Sequence, residues 1–170
     1  MNENNPLLNL QVDPHDIHLI VLTGMSGGGK TVALRALEDL EFYCVDNLPS
    51  ALLPQLVNAV IEGNSKLRRI AVGVDVRNRG ADFAYMPMVL SELAAAGVQV
   101  HMVFLDCRDD VLIKRYSESR RRHPLATRGV SLADAIVEER KLLRPLMTIA
   151  EKVIDSSELN VHQLRRLVAT

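Results

Sequence analysis

A glycine-rich segment of eight residues constrains the fold of this chain more than any other feature. Residues 24–31 read Gly-Met-Ser-Gly-Gly-Gly-Lys-Thr, a complete G-x-x-x-x-G-K-[ST] phosphate-binding loop. An apolar, β-branched run at 17–23 precedes the loop, and apolar residues at helical spacing follow it over 32–40. The pattern predicts a buried strand, a phosphate loop and a helix. A merely flexible glycine-rich turn is the competing interpretation.

Each residue type in this loop has a chemical reason. Glycines let successive backbone N–H groups converge on phosphate oxygens at the positive end of a helix. Lys30 is expected to reach the β and γ phosphates, and the Thr31 hydroxyl is expected to ligate Mg²⁺. The loop therefore predicts a nucleoside triphosphate site. Its candidate binding residues are Gly24, Met25, Ser26, Gly27, Gly28, Gly29, Lys30 and Thr31.

Length and charge set broad bounds on the protein. The 170 residues suit one nucleotide-binding domain at 17–170, preceded by a polar, flexible leader at 1–16. A formal net charge of −1 gives no overall attraction to nucleic acid or membrane. The sequence has no apolar run of about 18 residues and no basic start typical of a signal peptide. We therefore expect a cytoplasmic protein.

Strand and helix patterns alternate along the rest of the chain. Further strands are predicted at 42–46, 70–76, 98–105 and 153–155. Further helices are predicted at 49–62, ending at Gly63; at 81–96, despite Pro87; from a cap at Asp109 or Asp110 to about 122; from a Ser131/Asp134 capping box to a break or end around Pro145; and after a cap at Asn160. Such alternation predicts a doubly wound α/β fold, a kinase-like P-loop NTPase whose mainly parallel sheet has about five strands flanked by helices.

Four predicted strands end in an acid: Asp46, Asp75, Asp106 and Asp155. Because the carboxyl ends of parallel strands form the functional edge of such sheets, we expect these carboxylates near the phosphate loop. One of them should help to hold Mg²⁺. Asp75 is favoured, with Asp46 and Asp106 as alternatives, and a turn-forming role competes for each.

A basic cluster occupies fifteen residues in the second half of the chain. In phosphoryl-transfer enzymes an arginine-bearing lid neutralises developing charge, and 123–130 is a candidate lid. The candidate catalytic residues are Lys30, Arg115 and Arg121. A solvated basic face paired with Glu118 and an RNA-phosphate patch are the alternatives. The cluster comprises Lys114, Arg115, Arg120, Arg121, Arg122 and Arg128.

Three other residues offer weaker signals. His123 adjoins the arginines, where chemistry is conceivable, but a surface or capping role is favoured. Cys44 and Cys107 lack metal-site spacing and are interpreted as buried thiols. With three Phe, three Tyr and no Trp, the chain lacks the aromatic run of a single-strand RNA platform.

Several strings of this sequence, taken together, resemble the RapZ/YvcJ family of bacterial P-loop nucleotide-binding proteins, some of which are RNase adapters. The resemblance covers nearly the whole chain from about residue 18. Phe-Tyr-Cys-Val-Asp-Asn-Leu-Pro at 42–49 is far more specific than the phosphate loop alone. The matching strings are 24–49, 75–78, 104–106 with 112–116, 120–125 and 153–158.

The resemblance implies binding of both ATP and GTP, with weak hydrolysis at most. It assigns a guanine-nucleotide motif to Asp75, Val76, Arg77 and Asn78. The sequence contains no Asn-Lys-x-Asp motif, so the expectation of GTP rests on the resemblance. Glu41 stands where the family usually has Gly, a change that concerns a turn rather than the phosphate site.

Family members continue into a second domain that the adapter members use for small RNA. This chain stops at Thr170, so a small-RNA or regulatory-protein partner would act through a domain absent here. A regulatory nucleotide-binding module with slow hydrolysis is the favoured function. A small-molecule kinase with an arginine-rich lid is the main alternative, and an RNA-contacting adapter with a structural phosphate loop is the third.

Overall fold

The computed structural model describes residues 17–62, 68–74, 79–119, 121–126, 129–160, 162–164 and 166. Its strands are β1 (His18–Gly24), β2 (Tyr43–Val45), β3 (Arg69–Gly73), β4 (Gln99–Asp106) and β5 (Lys152–Asp155). Its helices are α1 (Lys30–Asp39), α2 (Leu53–Glu62), α3 (Arg79–Ala95), α4 (Asp109–Ser119) and α5 (Leu132–Ile149). A 3₁₀ turn at Ser50–Leu52 leads into α2, within the segment predicted as one helix.

The five strands form one sheet in the order β2-β3-β1-β4-β5, and every neighbouring pair is parallel. β1 is central, with Val21 opposite Val72 of β3 and Met102 of β4. A central strand is covered on both faces, which explains why its sequence is a near-continuous apolar run. The doubly wound fold expected from the sequence is confirmed.

The two faces of the sheet are covered by different helices. On one face Leu34 and Leu37 of α1 pack with Leu22, Ala71 and Ile154 of the sheet. On the other face α2, α3, α4 and α5 cover the sheet, and their buried side chains include Leu53, Met86, Leu112, Ile136 and Leu143. β1 ends at Gly24 and α1 begins at Lys30, so the loop between them lies at the carboxyl edge of the parallel sheet.

Helix caps explain several element boundaries. The Ser131 hydroxyl accepts a hydrogen bond from the Asp134 amide at 3.1 Å, as the capping-box pattern predicts. The Asn160 side chain accepts from the Gln163 amide at 2.8 Å, and the Gln163 side chain accepts from the Asn160 amide at 2.9 Å. This reciprocal pair starts the helical turn that includes residues 162–164.

Three boundary predictions were wrong. Asp109 and Asp110 lie in the first turn of α4 rather than at its cap. In the first turn their negative charges interact favourably with the positive end of the helix dipole. α4 ends at Ser119, and 121–122 are not helical. α5 continues through Pro145 to Ile149, since packing of Leu143 and Leu146 holds the turn in which proline cannot donate a backbone hydrogen bond.

Within the described residues, no helix is long and apolar enough to cross a membrane.

Candidate functional site

The phosphate loop lies where the sequence places it, between β1 and α1. The Met25 amide donates to the carbonyl of Leu105 on the neighbouring strand at 3.0 Å, which fixes the exit from β1. The Gly28 amide donates to the Met25 carbonyl at 2.8 Å and closes a tight turn. α1 then begins at Lys30. Because the first amides of a helix have no intrahelical acceptor, the loop and helix end form a cradle for an anion.

Two glycines have a steric reason to be glycine. Gly24 has φ 148°, and a Cβ there would collide with the backbone carbonyl of Leu105. Gly29, at the N-cap of α1, has φ 105°, and a Cβ there would come within 2.5 Å of Leu164 Cδ2. A side chain at either position would deform the loop.

Ser156, directly after β5, holds the loop from beneath. Its buried hydroxyl donates to the Gly28 carbonyl at 2.6 Å, and its amide donates to the Asp106 carbonyl at 2.9 Å. Arg115 of α4 completes this brace by donating to the carbonyls of Gly27 and Ser156, each at 2.8 Å. Arg115, a candidate catalytic residue, is thus bonded to the loop backbone, a contact that positions the loop.

A second brace is a buried carboxylate. Glu139 of α5 accepts from the Ser26 amide at 2.8 Å and from the Ser26 hydroxyl through a short hydrogen bond. The Nε2 atom of His123 lies 3.3 Å from the same carboxylate, and both side chains are fully buried. His123 was expected at the surface or in a capping role. It caps a turn by accepting from the Leu125 amide at 3.0 Å, but the expectation of a surface position was wrong.

Lys30 faces one acid across the mouth of the loop. Its Nζ atom lies 3.2 Å from Asp46 Oδ1, and the Lys30 side chain is only 14% exposed while that of Asp46 is 48% exposed. Asp46 follows β2 and passes over Gly73, where any Cβ would strike its carboxylate. The absence of a side chain at Gly73 therefore allows Asp46 to reach the site.

An open cleft of about 850 Å³ lies over the loop. The loop, Lys30 and Thr31 line one side, and Asp46 stands beside them. The lining also has a basic part, Arg121 and Arg122, which we call the basic wall. The complete lining is Gly24, Met25, Ser26, Gly27, Gly29, Lys30, Thr31, Val32, Asp46, Arg115, Tyr116, Ser119, Arg121, Arg122 and Pro124.

Two of the other strand-end acids, Asp106 and Asp155, do not line this cleft. The Asp106 carboxylate accepts from Arg140 at 2.8 Å and from the Cys107 amide at 2.8 Å. Burial disfavours the Arg140 charge, but hydrogen bonds to Asp106 and Asp109 outweigh that effect and raise the Arg140 pKa. Asp155 is held by the hydroxyl and amide of Ser157, which lower the Asp155 pKa. Asp106 and Asp155 therefore stand at the ends of their strands, as expected, but their carboxylates are engaged by neighbouring groups and do not form part of the cleft lining.

The predicted guanine-nucleotide motif lies outside the described residues. It comprises Asp75, Val76, Arg77 and Asn78, and its role stays a prediction. Arg120 and Arg128 of the basic cluster also lie outside them.

The two described arginines of the basic wall differ in their contacts. Arg122 Nε donates to the Ala126 carbonyl at 2.8 Å, which ties it to its own turn. Arg121 is exposed and has no side-chain hydrogen bond to any residue within the described ranges. Of the two, Arg121 has the freer guanidinium for an anion entering the cleft.

The donor set in the cleft fits Mg²⁺ bound with a nucleotide. The Thr31 hydroxyl and the Asp46 carboxylate supply oxygen atoms on the same cleft. The part of the chain that the structure describes holds no cluster of three or more His, Cys, Asp or Glu residues suited to a metal. Mg²⁺ commonly takes one or two protein ligands and completes its shell with phosphates and water, so an oxygen pair is sufficient.

Sequence reasoning missed two site residues. Ser156 was part of a matching string but had no assigned role. Glu139 did leave a signal, because it falls at the buried helical positions of α5 between Ile136 and Leu143. A carboxylate on an apolar helix face is costly unless it is hydrogen-bonded, and this indicates a buried polar contact.

Comparison with known proteins decides the family. Residues 17–170 match the RapZ-like N-terminal domain. The chain belongs to this family. The resemblance seen in the sequence is thereby confirmed over nearly all of its length.

Curated relatives of this RapZ-like domain are named nucleotide-binding proteins. The one from Myxococcus xanthus is 51% identical over 150 residues, which cover 88% of this chain and 51% of the relative. Smlt1108 of Stenotrophomonas maltophilia is 47% identical over 161 residues, covering 94% of this chain and 54% of the relative. The chain therefore spans about half the length of the curated relatives it matches.

Solved structures of similar fold include small-molecule kinases. Shikimate kinase from Bacteroides thetaiotaomicron superposes with a TM-score of 0.56 at 18% identity, over 89% of this chain and 94% of the kinase. A gluconokinase from Sinorhizobium meliloti gives 0.52 at 14% identity, over 89% of each chain. At such identities the likeness shows the fold alone, which is that of the P-loop kinases.

Proposed function

We propose that this chain is a regulatory nucleotide-binding module that binds ATP and GTP with Mg²⁺ and hydrolyses them slowly. The observation that carries the proposal is the position of Lys30, at the start of α1 with its amine inside the phosphate-loop cleft. An amine there can reach the β and γ phosphates while loop and helix amides bind the phosphate oxygens.

Mg²⁺ would supply charge neutralisation between the phosphates. Thr31 would contribute its hydroxyl, and Asp75 remains the predicted carboxylate, with Asp46 as the alternative that lines the cleft. Arg115 and Arg121 are proposed to stabilise negative charge, Arg115 mainly through the loop that it braces.

Slow hydrolysis is proposed because P-loop GTPases without an inserted arginine turn over at about 10⁻³ per second or slower. Within the described residues, the Arg115 guanidinium donates to the carbonyls of Gly27 and Ser156, and that of Arg122 donates to the carbonyl of Ala126. These two arginines are therefore already engaged by the protein backbone. Nucleotide state, rather than rapid turnover, would then be the output. A regulatory protein or a small RNA would read it through the remaining half of the longer relatives.

Calorimetric titration of ATP and GTP with Mg²⁺ against this chain tests the proposal, followed by turnover on the same samples. Lys30→Ala should weaken the binding of both nucleotides at least tenfold, because the phosphates lose a direct charge. Lys152→Ala is the matched control, since Lys152 is exposed at the start of β5, away from the carboxyl edge. Equal binding by Lys30→Ala and the parent chain would overturn the assignment of Lys30.

A small-molecule kinase is the second candidate. It is favoured by Asp46, whose carboxylate stands in the cleft beside Lys30, where it could accept the proton of an acceptor hydroxyl. Kinases reach about 1 to 100 turnovers per second. ATP consumption in that range, only when a metabolite pool is added, would replace the regulatory proposal with the kinase.

An RNA-contacting role is distinguished by its salt dependence. Binding through phosphates weakens steeply as salt rises. Charge reversal of Arg120, Arg121 and Arg122 should abolish such binding, whereas the nucleotide module predicts no RNA affinity that depends on these residues.

A further inference from the structure

A single buried carboxylate links the phosphate loop to the residue that follows the basic wall. Glu139 Oε1 accepts from the Ser26 amide at 2.8 Å and lies 3.3 Å from His123 Nε2, while Oε2 accepts from the Ser26 hydroxyl. Ser26 belongs to the phosphate loop. His123 directly follows Arg121 and Arg122 of the basic wall. The same oxygen atom therefore contacts the phosphate loop and the residue that follows the basic wall.

The hydrogen bonds define the state of His123. Because Nδ1 accepts from the Leu125 amide at 3.0 Å, the proton of a neutral imidazole resides on Nε2, which then donates to Glu139. The Tyr116 ring packs against the imidazole with centroids 5.3 Å apart and restricts its orientation. His123 thus has one favoured position, set by Glu139, Leu125 and Tyr116.

Burial makes this connection hard to break on one side alone. The side chains of Glu139 and His123 are fully excluded from water. If one hydrogen-bond donor moved away, the Glu139 carboxylate would lose a hydrogen bond that water could not replace, which costs free energy. A displacement of Ser26 by phosphate in the loop would therefore draw the carboxylate and its other partner with it. The two arginines next to His123 would follow in turn.

We propose that Glu139 is a positioning residue that transmits nucleotide occupancy of the phosphate loop, through His123, to Arg121 and Arg122. The inference rests on the proposed nucleotide binding and adds an output: the basic wall changes position when the loop is filled. The remaining half of the longer relatives would then sense nucleotide state at this wall and pass it to a partner.

Trypsin cleavage after Arg121 and Arg122 reports the position of the wall directly. In the parent chain, saturating ATP with Mg²⁺ should change the rate of cleavage at these bonds at least fivefold, measured by mass spectrometry. His123→Phe keeps a ring beside Tyr116 but removes the donor to Glu139, so the ATP effect should fall below twofold. His123→Gln restores an N–H group near the Nε2 position and should recover the ATP effect.

Two controls separate coupling from general damage. His101→Phe makes the same change at a half-exposed histidine of β4 whose side chain pairs with Glu151. This variant should leave the ATP effect intact. Calorimetry on the same samples should show that His123→Phe binds ATP within about threefold of the parent. If His123→Phe does not fold, Glu139→Gln should give the same loss, because it removes one of the two acceptor oxygens.

The outcomes are distinct. A full ATP effect in folded, ATP-binding His123→Phe or Glu139→Gln would overturn the inference and leave the proposed function standing. The same holds if the parent chain binds ATP with no change in cleavage. Absence of any calorimetric binding to the parent chain would overturn the proposed function, and the inference would fall with it.

Discussion

The amine of Lys30 lies 3.2 Å from the carboxylate of Asp46, so the basic residue of the phosphate loop is already paired with an acid across the cleft. The pair joins the start of α1 to the end of β2. An incoming triphosphate adds negative charge beside Asp46 and competes with it for Lys30. The acid therefore opposes binding of a metal-free nucleotide.

Removing the Asp46 charge tests this competition. We expect Asp46→Asn to bind ATP about threefold more tightly in EDTA, because half-exposed ion pairs are worth less than about 1 kcal/mol. Calorimetry measures the change, and Asp134→Asn, at an exposed first-turn position of α5, is the control. Weaker ATP binding by Asp46→Asn specifically with Mg²⁺ would instead identify Asp46 as a metal ligand.

The brace beneath the loop should be visible as stability. Ser156→Ala deletes the hydroxyl that donates to the Gly28 carbonyl and leaves that buried acceptor without its partner. We expect a loss of about 2 kcal/mol in the free energy of unfolding, measured by urea titration. Ser117→Ala removes an exposed hydroxyl that donates to the Ile113 carbonyl in the same helix, and it should change stability little. Equal losses in both variants would contradict the bracing role of Ser156.

The end of α1 carries a residue of unfavourable conformation. Glu41 has φ 69°, and the Glu41 and Phe42 amides donate to the carbonyls of Glu38 and Leu37, each at 3.0 Å. This is the Schellman arrangement, which favours glycine. The resemblance to the RapZ/YvcJ family implies that a glycine usually stands here, and in the structure Glu41 lies in a turn.

Glu41→Gly should therefore stabilise the protein by about 1 kcal/mol, since the left-handed strain and an acid at the negative helix end are both removed. Thermal unfolding checks this. Asn47→Gly, at another positive φ of 56°, is the control. Because asparagine tolerates the left-handed backbone conformation, Asn47→Gly should raise the unfolding temperature less than Glu41→Gly does. A loss of stability in Glu41→Gly would show that the side chain makes a compensating contact.

Cys44 should be a poor nucleophile at neutral pH. Burial, followed by the nearby charge of Glu38, raises the pKa of the Cys44 thiol from 9.0 to about 11. The sequence expectation of a buried thiol holds for Cys107, whereas Cys44 is half-buried and donates to the Leu34 carbonyl at 3.4 Å. The rate of native-state alkylation by iodoacetamide should rise with a midpoint near pH 11.

The same shift has a consequence for stability. The pKa of the Cys44 thiol is higher in the folded than in the unfolded protein. Its contribution to the free energy of unfolding is therefore fully present below pH 9 and is lost as the pH rises toward 11. Peptide mapping assigns the alkylated thiol, and Cys44→Ala, which retains only Cys107, is the control. An alkylation midpoint near pH 9 in the folded protein would contradict the proposed desolvation of Cys44.

The sequence predicted the elements well where short-range chemistry decides them. The order of strands and helices follows from apolar spacing, and the caps at Ser131 and Asn160 follow from side chains that bond within three residues. Predictions failed where packing overrides a local signal, as at Pro145 inside α5. They also failed at Asp109 and Asp110, because acids favour both the cap and the first turn of a helix.

By itself, the sequence determined the strand, loop and helix around Lys30, since the spacing of glycines, lysine and threonine is a local property of the chain. Only the tertiary structure decided which distant residues complete the site. Glu139 meets Ser26 across 113 residues and Ser156 meets Gly28 across 128. Such contacts depend on strand order and on which helix covers which face of the sheet. No short-range pattern encodes them, and for that reason the carboxylate that faces Lys30 was recognised as Asp46 only in the folded chain.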